Sequence, residues 1–179
     1  VFAASGLLQS AEGGSMELVL VPAGAPGSYN GQLEAEDVRL RDAPALAALL
    51  NALSIVGLLE QMVSGEGILL GQVMARFELT PDQLRLLSSS ATGPSLGISM
   101  DGYYDMGTGM MNMQGVFSPL YFVNAIGSIF TRRGEGLVGF NYNLTGPAES
   151  PRVEVNPLSL FTPGMFREMF RRSPPQPTQ

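Results

Sequence analysis

The chain has 179 residues, a formal net charge of −6, no histidine and no cysteine. This length suits one domain with a real hydrophobic core, and the negative charge disfavours a phosphate backbone as partner, so we do not expect nucleic acid binding. The lack of His and Cys removes thiol nucleophiles, imidazole bases and most zinc or haem sites. The sequence therefore predicts no catalytic residue, no metal and no cofactor.

The chain begins at Val1 without a methionine, so we expect a fragment or a processed product of a longer protein. No apolar run reaches the roughly 18 residues of a membrane span. Residues 1–66 carry eight acids and two arginines, whereas residues 132–179 carry four acids and six arginines. This asymmetry predicts either ends that face different partners or simply a solvated acidic face.

The first part of the chain predicts two strands and a helix. Residues 16–21 form a short strand with two apolar faces, and residues 29–41 form a long strand after a Pro/Gly turn. Acids on the long strand (Glu34, Glu36 and Asp37) indicate a solvated face, because a calcium loop needs a different spacing. Residues 43–62 then predict a helix, with Asp42 as N-cap, Pro44 in its first turn, and a kink or a split at Ser54 and Gly57. Its near lack of charge predicts burial against the sheet or a lipid.

The central region predicts four consecutive strands, at residues 67–79, 83–89, 94–103 and 109–116, separated by turn residues. Apolar and polar residues alternate along them. In the first strand the predicted apolar face carries Leu69, Val73, Ala75, Phe77 and Leu79. Such alternation is typical of an antiparallel meander with one apolar and one wet face.

The last part of the chain predicts more helix and strand. Ser118 and Pro119 predict the start of an almost wholly apolar helix at 119–130. Strands follow at 137–144 and 152–155, then a helix at 163–172 and a disordered Pro-rich tail at 173–179. The predicted fold is therefore an α+β domain over residues 1–172, mainly a twisted antiparallel sheet, with helices packed on or capping its apolar face.

Two features stand out as candidate sites. The first is a cluster of methionines between residues 100 and 113, namely Met100, Met106, Met110, Met111 and Met113. Such a cluster predicts either an irregular core or a surface for varied apolar partners. The terminal helix has an apolar face flanked by arginines, which suits an anionic membrane surface or a sheet edge. Its docking candidates are Met165, Phe166, Arg167, Met169, Phe170 and Arg171.

An acid/base pair of Asp101 and Asp105 is the one catalytic arrangement that the residues suggest. Both carboxylates flank Tyr103 and Tyr104 near a predicted hairpin turn, where Asp is a common residue for structural reasons. The turn interpretation is therefore preferred to a catalytic one, and we predict that the chain is not an enzyme.

Five strings, in this order, resemble the C-terminal region of AsmA-like proteins, the YhdP/TamB-related group of large bacterial envelope proteins. They are GQLEAEDVRLRDAPAL from Gly31, LSIVGLL from Leu53, GPSLGISMDG from Gly93, GVFSPLYFVN from Gly115 and VNPLSLFTPGMFR from Val155. The resemblance implies a non-catalytic periplasmic protein with an inner-membrane anchor upstream of this chain. It also implies a role in outer-membrane biogenesis, in which stacked strands form an apolar groove for phospholipid transport between the membranes.

On this hypothesis the chain lines or caps the groove, and its partners are phospholipid, upstream repeats of the same protein and envelope proteins. The candidate acyl-chain contacts are Leu96, Ile98, Met100, Met111, Met113, Val138, Phe140 and Tyr142. The same pattern also suits a closed core, in which case the module would pair edge to edge with envelope partners.

Overall fold

The computed structural model describes residues 11–41, 43–119 and 139–156. The elements in these residues are, in chain order, β1 (Ala11–Glu12), β2 (Ser15–Pro22), β3 (Tyr29–Leu40), α1 (Pro44–Ala52), α2 (Val56–Val63), β4 (Ile68–Leu79), β5 (Gln83–Thr92), β6 (Leu96–Asp105), β7 (Met110–Pro119), β8 (Phe140–Pro147) and β9 (Arg152–Asn156). The predicted helix at 119–130 falls almost wholly outside the described residues, and the helix at 163–172 and the tail at 173–179 fall entirely outside them.

All of these strands belong to one antiparallel sheet. The strands from β3 to β9 lie side by side in chain order, which confirms the predicted meander. Both β1 and β2 pair with β3, on the side away from β4, so among the described residues they form one edge of the sheet while β9 forms the other. The predicted α+β class, dominated by an open antiparallel sheet, is confirmed.

The strand register divides the sheet into an apolar face and a polar face. Directly opposed residues share a face, and one such row runs from Phe77 through Leu86, Gly102 and Met113 to Leu144. The neighbouring row on the other side of the sheet runs through Glu78, Arg85, Tyr103 and Asn112. We call the side of Phe77 the apolar face and the side of Glu78 the polar face.

A β-bulge at Leu87 keeps this division intact along β5. The register shifts by one residue between Leu86 and Ser88 against β4, and again between Leu86 and Ser89 against β6. The extra residue shifts the alternation of side chains in β5 by one position. Leu86 and Ala91 therefore lie on the same apolar face, while Leu87 is exposed.

The predicted helix at 43–62 is split into α1 and α2, as expected around Ser54, whose φ is +57°. Leu49 and Leu50 of α1 are wholly buried, which confirms a core helix. α1 contacts β9 and α2 contacts β4. The two helices are therefore part of the hydrophobic core and contact strands that are far apart in the sheet. The N-cap prediction was wrong by one residue, because α1 is preceded by Ala43, whose side chain makes no capping hydrogen bond.

The predicted shared face of β4 is confirmed by the register, but two other predictions failed: the opposite face is not wet at the start of β4, and no helix begins at Ser118. At the start of β4 the buried residues are Ile68 and Leu70, which lie on the opposite face from Phe77 because side chains alternate. Ile68 and Leu70 lie in the part of β4 that does not pair with β5, and this part follows α2 in the chain. Ser118 and Pro119 do not begin a helix, because they continue β7 and pair with Gly97 and Leu96.

Candidate functional site

Seven of the eight predicted acyl-chain contacts come together on the apolar face of β6, β7 and β8. Ile98 lies opposite Phe117, which lies opposite Phe140, and Met100 aligns in the same way with Gly115 and Tyr142. Leu96, Met111 and Met113 occupy the remaining rows of that face. The eighth, Val138, lies outside the described residues.

These seven side chains differ in how far they are buried. Leu96, Met113, Tyr142 and Met111 are exposed by 0%, 1%, 2% and 3%, so they are packed in the core. Ile98, Met100 and Phe140 are only partly buried and pack against it. Of the crowded methionines, Met111 and Met113 therefore fill the core, and Met110 is exposed.

Tyr142 spans three strands within this packed region. Its hydroxyl donates a hydrogen bond of 2.9 Å to the carbonyl oxygen of Ser99 in β6, crossing β7 at Gly115. A Cβ at position 115 would collide with the Ser99 carbonyl oxygen and would lie 2.8 Å from the Tyr142 hydroxyl. Burial, with a further contribution from the charge of Asp101, raises the pKa of Tyr142 far above its ordinary value, so the phenol stays protonated and acts as a donor.

The apolar face is open at the other end of the sheet. Met16, Leu18 and Leu20 of β2 belong to this face by register and are exposed by 49%, 38% and 38%. Leu33 and Ala75, in the next two strands, are partly buried. The sequence predicted β2 as a strand with two apolar faces, but not its exposure, since exposure depends on which strands lie beside it.

The two edges of the sheet are built differently. β9 is five residues long, carries Arg152 and Glu154, and contacts α1. β2 is eight residues long, all of them exposed, and carries one charged residue, Glu17. Long apolar edge strands template pairing with another strand, whereas short charged or covered edges resist it. β2 is therefore the less protected edge within the described part of the chain.

Asp101 and Asp105 do not form a pair. Four residues of extended strand separate their Cα atoms by about 13 Å, farther than the carboxylate spacings of glycosidases. Asp105 accepts a 2.7 Å hydrogen bond from the backbone N–H of Thr108, and this bonding lowers its pKa. Burial raises the pKa of Asp101, against a 3.0 Å hydrogen bond from Gln114. The turn interpretation is confirmed for Asp105, while Asp101 lies within β6.

The acids of β3 form a solvated strand face, as expected, since Glu34, Glu36 and Asp37 are all exposed. Across residues 11–41, 43–119 and 139–156, no group of three acidic side chains is placed to hold a metal ion. Neither α1 nor α2, the helices in those residues, is long and apolar enough to cross a membrane. The docking candidates Met165, Phe166, Arg167, Met169, Phe170 and Arg171 all lie outside the described residues.

No family model matches this chain, and no curated protein or solved structure matches it significantly. The resemblance to AsmA-like proteins therefore stays a prediction.

Proposed function

We propose that this chain is a non-catalytic periplasmic module that caps an apolar groove for phospholipid transport between the inner and outer membranes. The observation that carries the proposal is the continuity of the apolar face. It runs from packed residues such as Leu96 in β6 to exposed residues such as Leu18 and Leu20 in β2. A groove that ends in this module would need both a closed part and an open part.

The open part of the apolar face has the chemistry that an acyl chain requires. Its backbone polar groups are used in the ladders that join β2, β3, β4 and β5. The one hydroxyl that the register places there on β5, that of Ser89, donates a 2.8 Å hydrogen bond to the carbonyl oxygen of Met100. Apart from the outer side of β2, such a surface offers apolar area without unpaired backbone groups, which are costly to cover with hydrocarbon.

The packed part of the same face would act as the closed end. Leu96, Met111, Met113 and Tyr142 are buried, so an acyl chain reaches them only if the core opens. Ile98, Met100 and Phe140 keep part of their surface accessible and pack against that core. On this proposal they mark the boundary where the lipid ends, and the module caps the groove more than it lines it.

The experiment is native mass spectrometry of the chain purified from an envelope fraction, with extraction and identification of any lipid. We expect phospholipid at about one molecule per chain for the unchanged protein. Leu18→Glu with Leu20→Glu places charge on the open apolar face and should abolish lipid retention. Met74→Glu with Met110→Glu is the matched control, because both are exposed apolar side chains on the polar face and lie outside β2.

Loss of lipid in both double variants, or in neither, would contradict contact at the apolar face. A chain that carries no lipid at all would contradict the proposal itself. Urea unfolding of all the variants checks that each is folded. Because the substituted positions are exposed, each substitution should change the free energy of unfolding by about 0.5 kcal/mol or less.

A second candidate function is a protein-interaction module with a closed core. The exposed strand β2 favours it, because an unprotected apolar edge can add a strand from an envelope partner. Under this alternative neither double variant affects lipid, because none is bound. The two candidates are therefore separated by the same experiment.

A further inference from the structure

We propose that β2 is a self-association edge, on which β2 of a second copy of this chain pairs antiparallel around a two-fold axis at Val19. The two sheets would then form one continuous sheet. This inference rests on the edge strand alone and stands whether or not the apolar face binds lipid.

The outer side of β2 is available for pairing. On its inner side every residue from Ser15 to Pro22 has a partner in β3, between Glu36 and Tyr29. In the part of the chain that the structure describes, no strand pairs with the outer side. β1 lies on the same side of β3 as β2 and continues the edge, pairing with Arg39 and Leu40. The outer backbone groups of β2 thus form an open template about eight residues long.

Solvent exposure makes this template adhesive on both faces. Met16, Leu18 and Leu20 are exposed on the apolar face, and Val19 and Val21 are exposed by 46% and 55% on the polar face. Burying large apolar side chains stabilises an interface, while an exposed apolar edge in a monomer is a liability. A second copy would cover both rows at once.

The sequence of β2 is self-complementary around Val19. A two-fold axis perpendicular to the sheet brings like face to like face, so that residue i of one copy meets residue 38 − i of the other. Leu18 then lies opposite Leu20 of the second copy on the apolar face, and Val19 lies opposite its own equivalent on the polar face. Three consecutive central pairs are apolar, which is the favourable kind of cross-strand pairing.

Charge disfavours the neighbouring register with its axis at Leu18, and strand length disfavours the one with its axis at Leu20, which would pair only residues 18–22 of β2. With the axis at Val19, Glu17 lies opposite Val21, and the two Glu17 positions are about 13 Å apart along the strands, beyond a Debye length of about 8 Å. With the axis at Leu18, the same positions are only about 7 Å apart. Glu17 already lies opposite Glu34 within one chain, so further crowding of carboxylates would be unfavourable.

The absence of cysteine in the chain permits a direct test by single-cysteine cross-linking. Directly opposed residues have Cα atoms about 4.5–5.5 Å apart, within the range of a disulfide. Val19→Cys should therefore form a disulfide-linked dimer under mild oxidation, and Leu18→Cys alone should not. A mixture of Leu18→Cys and Leu20→Cys chains should cross-link. Met110→Cys, equally exposed but away from this edge, is the control.

Sedimentation equilibrium of the unchanged chain supplies the second measurement. We expect twice the chain mass of 19.0 kDa, and a return to the single mass for Val19→Lys, but not for Met110→Lys. A single mass at every concentration, with Val19→Cys cross-linking no more than Met110→Cys, would overturn the proposal and leave the edge to a strand from another protein. Cross-linking of Leu18→Cys alone would overturn the register at Val19.

Discussion

Two regions of the apolar face carry the same kinds of side chain but differ in how far they bury them. In β6 and β7, Leu96 and Met113 are exposed by 0% and 1%, whereas in β2, Leu20 and Met16 are exposed by 38% and 49%. The residue types match, so the difference comes from position in the sheet. The first region has strands on both sides and helices in the same core, whereas among the described strands the second has a neighbour on one side only. The same hydrophobic residue types therefore lie in a closed core in one place and on an exposed surface in the other.

The largest expected effect is a test of how firmly the packed region is closed. Leu96→Glu buries a carboxylate at a fully covered position without a partner, so the free energy of unfolding should fall by about 4 kcal/mol. Urea denaturation measures this change. Met110→Glu, at an exposed position, should change it by no more than about 0.5 kcal/mol. Equal effects at both positions would mean that the packed region is open in solution and lines a groove.

A smaller effect is expected where strands approach closely beneath Tyr142. Gly115→Ala places a Cβ against the Ser99 carbonyl oxygen and the Tyr142 hydroxyl, so we expect a loss of about 3 kcal/mol from overpacking. Gly97→Ala is the matched control, since a Cβ there meets no atom within 4 Å. Thermal or urea unfolding compares the two. A harmless alanine at position 115 would show that Tyr142 moves freely, contrary to a packed core.

The smallest expected effect is on the pH dependence of stability. The pKa of Asp101 is raised above 3.8 by burial, so its contribution to stability is present below that value and is lost as the pH rises through the raised pKa. Asp101→Asn should therefore gain stability relative to the unchanged protein at neutral pH, and lose that advantage towards about pH 4.

Asp105 supplies the opposite case within the same strand. Its pKa is lowered by hydrogen bonds from Thr108, so its contribution is present above 3.8 and is lost as the pH falls through the lowered pKa. Asp105→Asn should be the less stable protein at neutral pH, and the difference should vanish in acid. Urea unfolding at a series of pH values measures both variants. Parallel profiles would contradict the assigned environments.

The elements themselves were largely predictable from local sequence. Alternation in β4, β6 and β7 and turn residues such as Thr80 predicted the meander, because strand period and turn chemistry are local properties. Thr80 indeed accepts a 3.0 Å hydrogen bond from the backbone N–H of Gln83. The helix start predicted at Ser118 and Pro119 was wrong. A Ser-Pro pair also fits at the end of a strand, and the residues of β6 that pair with it are distant in sequence.

The candidate site was predictable only as a face. Alternation placed Ile98, Met100, Met111 and Met113 on one side of the sheet, as the register confirms. It did not separate the buried Met113 from the partly buried Met100, since coverage depends on elements elsewhere in the chain. The same limit hid the exposure of β2, whose apolar sequence reads like that of a core strand.

The sequence by itself determined most strands, their turns, the break in the helix and the side on which most apolar residues lie, because these follow from backbone conformation and side-chain period. Tertiary structure alone decided that β2 is an edge among the described strands, that β9 contacts α1, and that the apolar face is closed at Leu96 and open at Leu18. Burial is a relation between segments far apart in the chain, and no local pattern specifies which of them will meet.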